Sequence, residues 1–524
     1  MKGRHAGNSF LAMKPFLGRS ENRISIFVYA CVCVCFCSTC RFDPGGLKGN
    51  GFDGSVVDAF TDGSWADGFF EDVLVEEDGS VLCQDGDFSC TNSGAKICDN
   101  SEWVSLGPCF LGCMEEGRAC MIPSNVNPEA LGYHESMLED FFPGSGSTIH
   151  ISTDNGAIFN VDDATFVRIE GEGGLVNGIG FYRRSQPGKA PPLGIFVVRN
   201  FKIPENTLVT IGGGGAFVVI ATGDVVIEGV LDAGAQGARG GAGGFDGGSV
   251  GLPGGGPYPG QAGQIHPGCP DGCASGSGGG GLGGEGGIGG AVDCSLWGKH
   301  YGLAGGRGGE GGGNEGLSPL LGGSGGGGGV PLQGVAGSEP GLGGGGGGAV
   351  QISARGMIDV GENGVITCPG GGGRQTTSGG GSGGGAGGGI LLESDIVVVS
   401  PGGIVAANGG GGGGGDCMIE STDIGGAGQR GTNTVSQALG GVNLSGLAGG
   451  DGGGGGYGDS SLGDAGQSRC VVDRGSNGGG GGGGTGWIRI NTADGEPPAL
   501  EGVISPSPDT TAFSVGKLKR KPLP

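Results

Sequence analysis

The sequence predicts an all-β protein whose main domain, residues 147–510, is a parallel β-helix. Short apolar runs such as "GIFVVRNFKI" and "TLVTI" follow residue 147, and Gly, Asn, Asp or Pro breaks them. Three later segments, 215–235, 348–371 and 388–410, share one pattern of three short strands joined by small turns and bounded by glycine. A repeating unit of roughly 20 to 24 residues with three strands suits one coil of such a solenoid.

The spacing of apolar residues aligns the three segments. In each, the first and second strands are represented by residues eight positions apart: Phe217 and Val225, Val350 and Ile358, Leu391 and Val399. A degraded fourth copy begins at "GTGWIRINTADG", residues 484–495. Because periodicity alone does not give the order of strands in a sheet, a two-layer β-sandwich is the alternative fold.

Glycine accounts for 140 of the 524 residues and is concentrated in three insertions, at roughly 234–347, 369–389 and 409–486. The insertions lack the strict Gly-X-Y period, which excludes a collagen triple helix. Ordering glycine costs the most backbone entropy and gives no side-chain burial in return. Two arrangements remain: mobile loops, or close-packed polyglycine helices held by backbone hydrogen bonds and Cα–H···O contacts. The Leu and Val residues of 316–337, which a pure linker would contain less often, favour partly ordered glycine layers beside the β-helix.

The N-terminal 40 residues predict an export signal. Basic residues precede "ISIFVYACVCVCFCSTC" at 24–40, an uncharged apolar stretch shorter than a stable membrane span. A cysteine that closes an export segment is the site of lipoprotein processing, so Cys40 is the candidate for lipidation, with Cys31 as the alternative. Residues 41–79 are rich in Gly and Asp and predict a flexible acidic tether.

Residues 80–122 predict a small module held by disulfide bonds. Six cysteines fall within 38 positions of this segment, which is too short to form a sufficient hydrophobic core: Cys83, Cys90, Cys98, Cys109, Cys113 and Cys120. The spacing lacks the Cys-x2-Cys pairs and histidines of a common zinc site. Connectivity cannot be read from one sequence, since six cysteines allow 15 pairings. Residues 123–146 then predict a linker to the main domain.

The remaining cysteines are candidates for further disulfides: Cys269, Cys273, Cys294, Cys368, Cys417 and Cys470. Zinc is the alternative for part of this set, because His266 and His300 flank the first three of them. In an exported protein disulfides are the favoured reading. We therefore predict no metal and no cofactor, and the Asp-Gly pairs near residue 451 lack the spacing of a dedicated calcium site.

Charge and motif content give no catalytic residues. The formal net charge of −24 opposes binding of nucleic acid. Acidic residues do accompany the predicted strands (Asp224, Glu228, Asp232, Asp359, Glu393 and Asp395), and we interpret them as solvated turn or outer-face residues. The alternative is a carbohydrate-active enzyme that uses Asp224 and Glu228 as paired carboxylates, or a glycan-binding protein, on the β-helix scaffold. Residues 511–524 predict a solvated basic tail.

Two resemblances to known groups of proteins imply export and a location at the cell surface. Trp103 followed by "CFLGC" resembles small cysteine-rich modules of predicted secreted proteins of myxobacteria. The segments "ATGDVVIEGVLDAGAQG", "GGAGGGILLES" and "GGGGGGTGWIRINT" resemble glycine-rich predicted cell-surface proteins and lipoproteins of myxobacteria and related deltaproteobacteria. The resemblance implies a cell-surface location rather than any known reaction. Together with the sequence features above, it leads us to predict an exported structural or adhesive protein without catalytic activity, anchored to the outer membrane by lipid only or extracellular. Its expected partners are the cell envelope or extracellular matrix, glycans included.

Overall fold

The computed structural model describes residues 83–91, 94–107, 109–114, 118–266, 273–296, 299–312, 315–332, 341–416, 424–443, 449–469 and 476–523. All of these belong to one structural unit, Val73–Pro524. The predicted export signal and tether, with Cys40 and Cys31, lie outside the described residues. Among the described residues the only helical elements are two short 3-10 helices, so the all-β prediction is confirmed.

The cysteine-rich segment forms five short strands, and two 3-10 helices follow it: β1 (Phe88–Thr91), β2 (Gly94–Asp99), β3 (Glu102–Gly107), β4 (Cys113–Met114), β5 (Ala119–Ile122), η1 (Pro128–Leu131) and η2 (Glu135–Met137). Strands β1, β2 and β3 make an antiparallel sheet. The six predicted cysteines of this segment occur as three disulfides: Cys83–Cys98, Cys90–Cys113 and Cys109–Cys120.

Residues 148–232 contribute eleven strands: β6 (Thr148–Ser152), β7 (Ile158–Asn160), β8 (Thr165–Arg168), β9 (Gly174–Val176), β10 (Ile179–Arg184), β11 (Leu193–Val198), β12 (Phe201–Ile203), β13 (Leu208–Gly212), β14 (Ala216–Ala221), β15 (Val225–Ile227) and β16 (Val230–Asp232). Their apolar and β-branched composition is typical of buried strands. Most of the turns between them contain Gly or Asn with positive φ, for example Asn206 and Gly213.

The rest of the chain adds the following strands: β17 (Cys273–Ala274), β18 (Val292–Leu296), β19 (Lys299–Leu303), β20 (Val330–Pro331), β21 (Ala349–Ala354), β22 (Met357–Val360), β23 (Val365–Thr367), β24 (Gly379–Gly380), β25 (Gly389–Glu393), β26 (Ile396–Val399), β27 (Ile404–Ala406), β28 (Ser476–Asn477), β29 (Trp487–Thr492), β30 (Ala499–Leu500), β31 (Val503–Ser505), β32 (Phe513–Lys517) and β33 (Lys519–Pro522).

Three large sheets contain most of these strands. Sheet I has the order β32-β29-β25-β21-β14-β11-β10-β9, sheet II the order β12-β15-β22-β26-β30, and sheet III the order β31-β27-β23-β16-β13-β6-β7-β8. Sheet II is parallel throughout, whereas sheets I and III mix parallel pairs with antiparallel pairs at the β9–β10 and β6–β8 ends. Consecutive strands such as β14, β15 and β16 lie in sheets I, II and III in turn.

The three segments aligned from the sequence are neighbours in space. Phe217 pairs with Val350 and Val350 with Ile390, both in parallel register. The sequence alignment was wrong in the third segment, because Ile390 and Val397 occupy the places assigned to Leu391 and Val399. The turn there is one residue shorter than in the second segment. Strands β11–β13 and β29–β31 extend the same stacking on both sides, so the copy that begins at 484 supplies three strands and runs to Ser505.

One hydrophobic core lies between the three sheets. Phe217 and Val219 of sheet I, Val225 of sheet II and Leu231 of sheet III belong to the same fully buried cluster. The opposite face of sheet I is also covered, because Val218 and Ile220 pack in a second cluster with the cysteine-rich segment. Burial on both faces explains why β14 reads as an uninterrupted apolar run instead of alternating.

The buried guanidinium of Arg168 connects the two hairpins at one end of the hydrophobic core. It donates hydrogen bonds to the carbonyl oxygens of Gly156, Ile169, Gly171 and Ile179 at 2.7–3.1 Å. These carbonyls belong to the antiparallel hairpins that close sheets I and III. The side chain is fully buried, so its charge is stabilised by these carbonyl dipoles and by the ring of Phe181.

The predicted basic tail forms two strands, on which Lys517, Lys519 and Arg520 are exposed. Strand β32 pairs in parallel with β29, and β33 pairs in antiparallel register with β5 of the disulfide-bonded segment. The Lys521 ammonium lies 2.7 Å from the Glu129 carboxylate. Residues 123–146, predicted as a linker, pack against sheet I through the buried side chains of Leu131 and Leu138. The N-terminal and C-terminal parts of the described chain are therefore joined.

Candidate functional site

The glycine insertions form an ordered array of extended segments, which we call the glycine bundle. Its described segments are 257–264, 276–290, 304–310, 323–329, 341–348, 370–374, 380–388, 409–415, 426–431, 438–442, 450–456, 461–467 and 478–486. From Gly276 to Gly281, backbone amides donate to three different neighbours in rotation. Gly276 and Gly279 donate to one neighbour, and Ser277 and Gly280 donate to a second, at 2.9 Å in each case.

A repeat of three residues is the period of an extended polyproline II helix. The run 276–284 also accepts hydrogen bonds in rotation: Gly306 and Gly309 donate to it from one side, and Gly481 and Gly484 from another. In total this run has six bonded neighbours: 257–264, 284–290, 304–310, 324–329, 380–387 and 478–486. The bundle is therefore packed in three dimensions by backbone hydrogen bonds, and the expectation of ordered glycine layers is met in these segments.

Close backbone approach explains why the bundle requires glycine. A Cβ atom added at Gly383 would lie 1.9 Å from the carbonyl oxygen of Gly278, and one added at Gly481 would lie 2.1 Å from that of Gly287. Real Cβ atoms do not approach oxygen so closely. The α-hydrogens point at these carbonyls instead, which is the geometry of weak Cα–H···O contacts.

At the margin of the bundle, side chains reappear at every third position. In segment 304–310 the exposed residues are Ala304, Arg307 and Glu310, while Gly306 and Gly309 are buried. The neighbouring segment 257–264 follows the same rule, with Gln261 and Gln264 exposed. The two segments are joined by a hydrogen bond from the backbone amide of Gln261 to the backbone carbonyl oxygen of Arg307 at 2.9 Å.

These two marginal segments line a groove of about 700 Å3, which we call the bundle groove. Its side chains are an aromatic ring, two amides and two opposite charges, from Tyr258, Gln261, Gln264, Arg307 and Glu310. The volume lies within the range of roughly 300–1,000 Å3 that is typical of ligand sites. Such a set can stack on a ring and exchange hydrogen bonds, but it contains no activated nucleophile.

A second polar cluster lies on the outer face of sheet I. The Glu393 side chain is fully buried, which corrects its interpretation as solvated. Its carboxylate accepts hydrogen bonds from the backbone amide and hydroxyl of Ser124, the amide groups of Gln351 and Asn491, and the Ser353 hydroxyl. The acceptor sites of the carboxylate are used by these donors. This cluster therefore fixes the segment around Ser124 to three adjacent strands of the sheet.

The structure separates the two acids considered for catalysis. Asp224 precedes strand β15 and Glu228 follows it, four residues apart along an extended strand, or about 13 Å. Paired glycosidase carboxylates lie about 5–9.5 Å apart. The Asp224 carboxylate accepts a hydrogen bond from the Met357 amide, and Glu228 lies 3.4 Å from the Lys202 ammonium. Both acids thus contact neighbouring strands of sheet II individually.

Three other acids lie on different strands or turns. Asp232 binds Arg430 at 2.6 Å, which links the end of β16 to the glycine bundle. Asp359 is within β22, and one of its carboxylate oxygens is buried without a hydrogen bond. Asp395 is exposed in the turn before β26. Of these three acids, Asp359 is the one beside Asp224 and Glu228, because it is in register with Val226 on the neighbouring strand β15.

The later cysteines divide into two groups. Cys273 is disulfide-bonded. Cys368 is a free, fully buried thiol, so its inclusion among disulfide candidates is wrong. Burial raises the pKa of the Cys368 thiol far above its usual range, which keeps it protonated. Cys269, Cys417 and Cys470, and the side chain of Cys294, are outside the described part of the chain.

Neither a cluster of metal ligands nor a membrane-spanning helix is found within the described ranges. No group of three or more His, Cys, Asp or Glu residues there could hold a metal ion. His266 and His300 belong to the described chain, but Cys273 between them is engaged in a disulfide. Helices long and apolar enough to cross a membrane do not occur among those residues either.

Sequence reasoning missed the bundle groove and the Glu393 cluster. The groove had a signal: Tyr258, Gln261 and Gln264 are three residues apart, as are Ala304, Arg307 and Glu310. Glu393 had none, because its partners Ser124 and Asn491 are remote in sequence.

Comparison with known proteins gives no relative from which a function could be transferred. No family model, no curated protein sequence and no solved structure matches this chain.

Proposed function

We propose that this chain is an exported cell-surface protein with a structural or adhesive role and without catalytic activity. The observation that carries the proposal is the glycine bundle, in which backbone hydrogen bonds order long runs that consist mostly of glycine. A chain that commits so many residues to rigid backbone packing gains a stiff surface rather than a mobile active site. Three disulfides near residue 100 suit the oxidising conditions outside the cytoplasm.

We further propose that the main domain is a parallel β-helix with the bundle on its side. Support comes from the in-register parallel pairing of Phe217, Val350, Ile390 and Ile488 in successive strands of sheet I. Sheets II and III repeat this order with their own strands. A core shared by three sheets favours this architecture over a two-layer sandwich.

Attachment to the outer membrane through a lipid on Cys40, or on Cys31, completes the proposal. The cell envelope or extracellular matrix is then the expected partner, in keeping with the resemblance to glycine-rich surface proteins of myxobacteria. Mass spectrometry of the mature protein from its native cells tests this directly. We expect an N-terminal acylated cysteine at one of these two positions. An unmodified new N-terminus would leave export standing and remove the lipid anchor.

Surface exposure and adhesion need separate tests. Intact cells should lose the protein to added protease, and cells that lack the gene should attach less to neighbouring cells or to a solid support. Complementation with the wild-type gene is the control. A full-length protein that begins at Met1 and fractionates with the cytosol would overturn the proposed function, whatever the state of the early cysteines.

A further inference from the structure

We propose that the bundle groove binds a neutral glycan chain in an extended conformation. The inference rests on the proposed adhesive function and gives it a ligand class and a site. The groove lies between segments 257–264 and 304–310, whose outward side chains recur every third residue. Six residues of such a segment span about 19 Å. This length fits a row of several sugar rings rather than one small molecule.

The groove residues offer the hydrogen-bonding groups that sugar hydroxyls require. A hydroxyl both donates and accepts, and an amide side chain can do the same. Gln261 donates one amide hydrogen to the Pro259 carbonyl oxygen at 3.3 Å, which leaves its own carbonyl oxygen to accept from a ligand. Arg307 supplies donors and Glu310 supplies acceptors on the opposite wall. Tyr258 adds an aromatic ring on which the apolar face of a sugar can pack.

The walls of the groove are held in place before any ligand arrives. Pro257 and Pro259 fix the backbone on either side of Tyr258. The Gly281 amide donates to the Tyr258 carbonyl oxygen at 3.0 Å, and the Gly309 amide donates to Gly279 at 2.8 Å. Both walls are thereby tied to the central run 276–284. Preorganised walls reduce the entropy lost on binding.

Charge selects a neutral glycan over an acidic one. The chain carries a net charge of −24, so an anionic polysaccharide would be repelled at long range. Within the groove Arg307 and Glu310 carry opposite charges, and no excess of positive charge is present to attract sulfate or carboxylate groups. A proline-rich peptide is a different partner, and it would require an aromatic-lined groove instead of a single tyrosine.

Titration calorimetry on the full chain tests the proposal with linear hexasaccharides of cellulose, xylan and chitin. We expect at least one to bind, its trisaccharide to bind more weakly, and Tyr258→Ala and Gln261→Ala each to weaken binding about tenfold or more. Tyr457→Ala and Gln467→Ala replace the same residue types outside the groove, and they should bind like the wild type. Unchanged thermal unfolding of all four variants shows that each is folded.

Four results would overturn the inference: no hexasaccharide binds, Tyr258→Ala and Gln261→Ala bind like the wild type, dextran sulfate binds more tightly, or a proline-rich decapeptide does. Failure of the groove is distinguishable from failure of the proposed function. If cells carrying Tyr258→Ala attach as well as wild-type cells, the adhesive role stands and the groove is not its site. If the protein never leaves the cytosol, the adhesive role itself fails.

Discussion

Ser124 donates both its backbone amide and its hydroxyl to the buried carboxylate of Glu393, although 269 positions separate the two residues. Every hydrogen-bonding partner described for this carboxylate is a donor, from Ser124, Gln351, Ser353 or Asn491. The carboxylate therefore joins the segment after the disulfide-bonded module to sheet I. A buried charge can be tolerated here because donors surround it.

Replacing Glu393 should loosen this junction. In Glu393→Gln an amide group with two hydrogens faces donors, which leaves at least one buried group unsatisfied. We expect a loss of about 1–3 kcal/mol in the free energy of unfolding and faster proteolytic cleavage near Ser124. Urea unfolding and limited proteolysis measure both effects. Glu501→Gln, at an exposed glutamate, is the control, and an equal loss in that variant would contradict the assignment.

The packing of the glycine bundle predicts that a single methyl group is harmful there. Gly383→Ala would place Cβ 1.9 Å from a carbonyl oxygen, so the segments must move apart. We expect a cost of about 1–3 kcal/mol in urea unfolding and faster amide hydrogen exchange in 380–388. Gly144→Ala is matched, since a Cβ at Gly144 meets nothing within 4 Å. If both variants unfold alike, the bundle is not packed as described.

Arg168 should not be replaceable by lysine. The guanidinium reaches four carbonyl oxygens at once with a planar set of donors, which a single ammonium cannot do. Arg168→Lys should therefore lower the free energy of unfolding by about 2 kcal/mol or more. The exposed Arg184 gives the control, because Arg184→Lys should change it by less than about 0.5 kcal/mol. Wild-type stability in Arg168→Lys would refute this role.

The Cys368 thiol should be unreactive in the folded protein. Burial raises its pKa, so thiolate is scarce even at mildly alkaline pH, and the sulfur is also inaccessible. Because the pKa falls to its ordinary value on unfolding, alkylation should appear only in denaturant and should increase with pH there. Mass spectrometry after iodoacetamide treatment, with and without urea, measures this. Rapid alkylation of the native protein would show that the thiol is open to solvent.

The strands were predictable because their side chains carry a pattern. Val350 and Ile358, like Phe217 and Val225, are apolar at a fixed spacing. As this spacing predicts, Phe217 pairs with Val350 in sheet I, and Val225 pairs with Ile358 in sheet II. The third segment was misaligned because Ile390, Leu391 and Leu392 are all apolar. All three are buried, since sheet I is covered on both faces, so composition could not reveal which of them point into the shared core.

The glycine bundle, strand β33 and the Glu393 cluster could not be predicted from one sequence, because each depends on contacts between residues that are far apart in the chain. Glycine carries no side chain, so the period of three in the hydrogen bonds donated by 276–281 cannot be seen in the residue types. The residue types of Lys519 and Lys521 predict solvent exposure, but they do not reveal that their strand β33 pairs with β5, nearly four hundred positions earlier. Glu393 likewise becomes intelligible only with Ser124 beside it.

The six hydrogen-bonded neighbours of 276–284 also affect the order in which parts of the protein fold. Its neighbour 257–264 lies close to it in the chain, but its partner 478–486 lies roughly 200 residues further along. Such a separation is typical of slow, non-local folding. During synthesis or passage through a pore, N-terminus first, its amides lack those acceptors until the last segment has emerged. Assembly of the bundle is therefore a late step, and a chain truncated before residue 478 would leave its centre open to water.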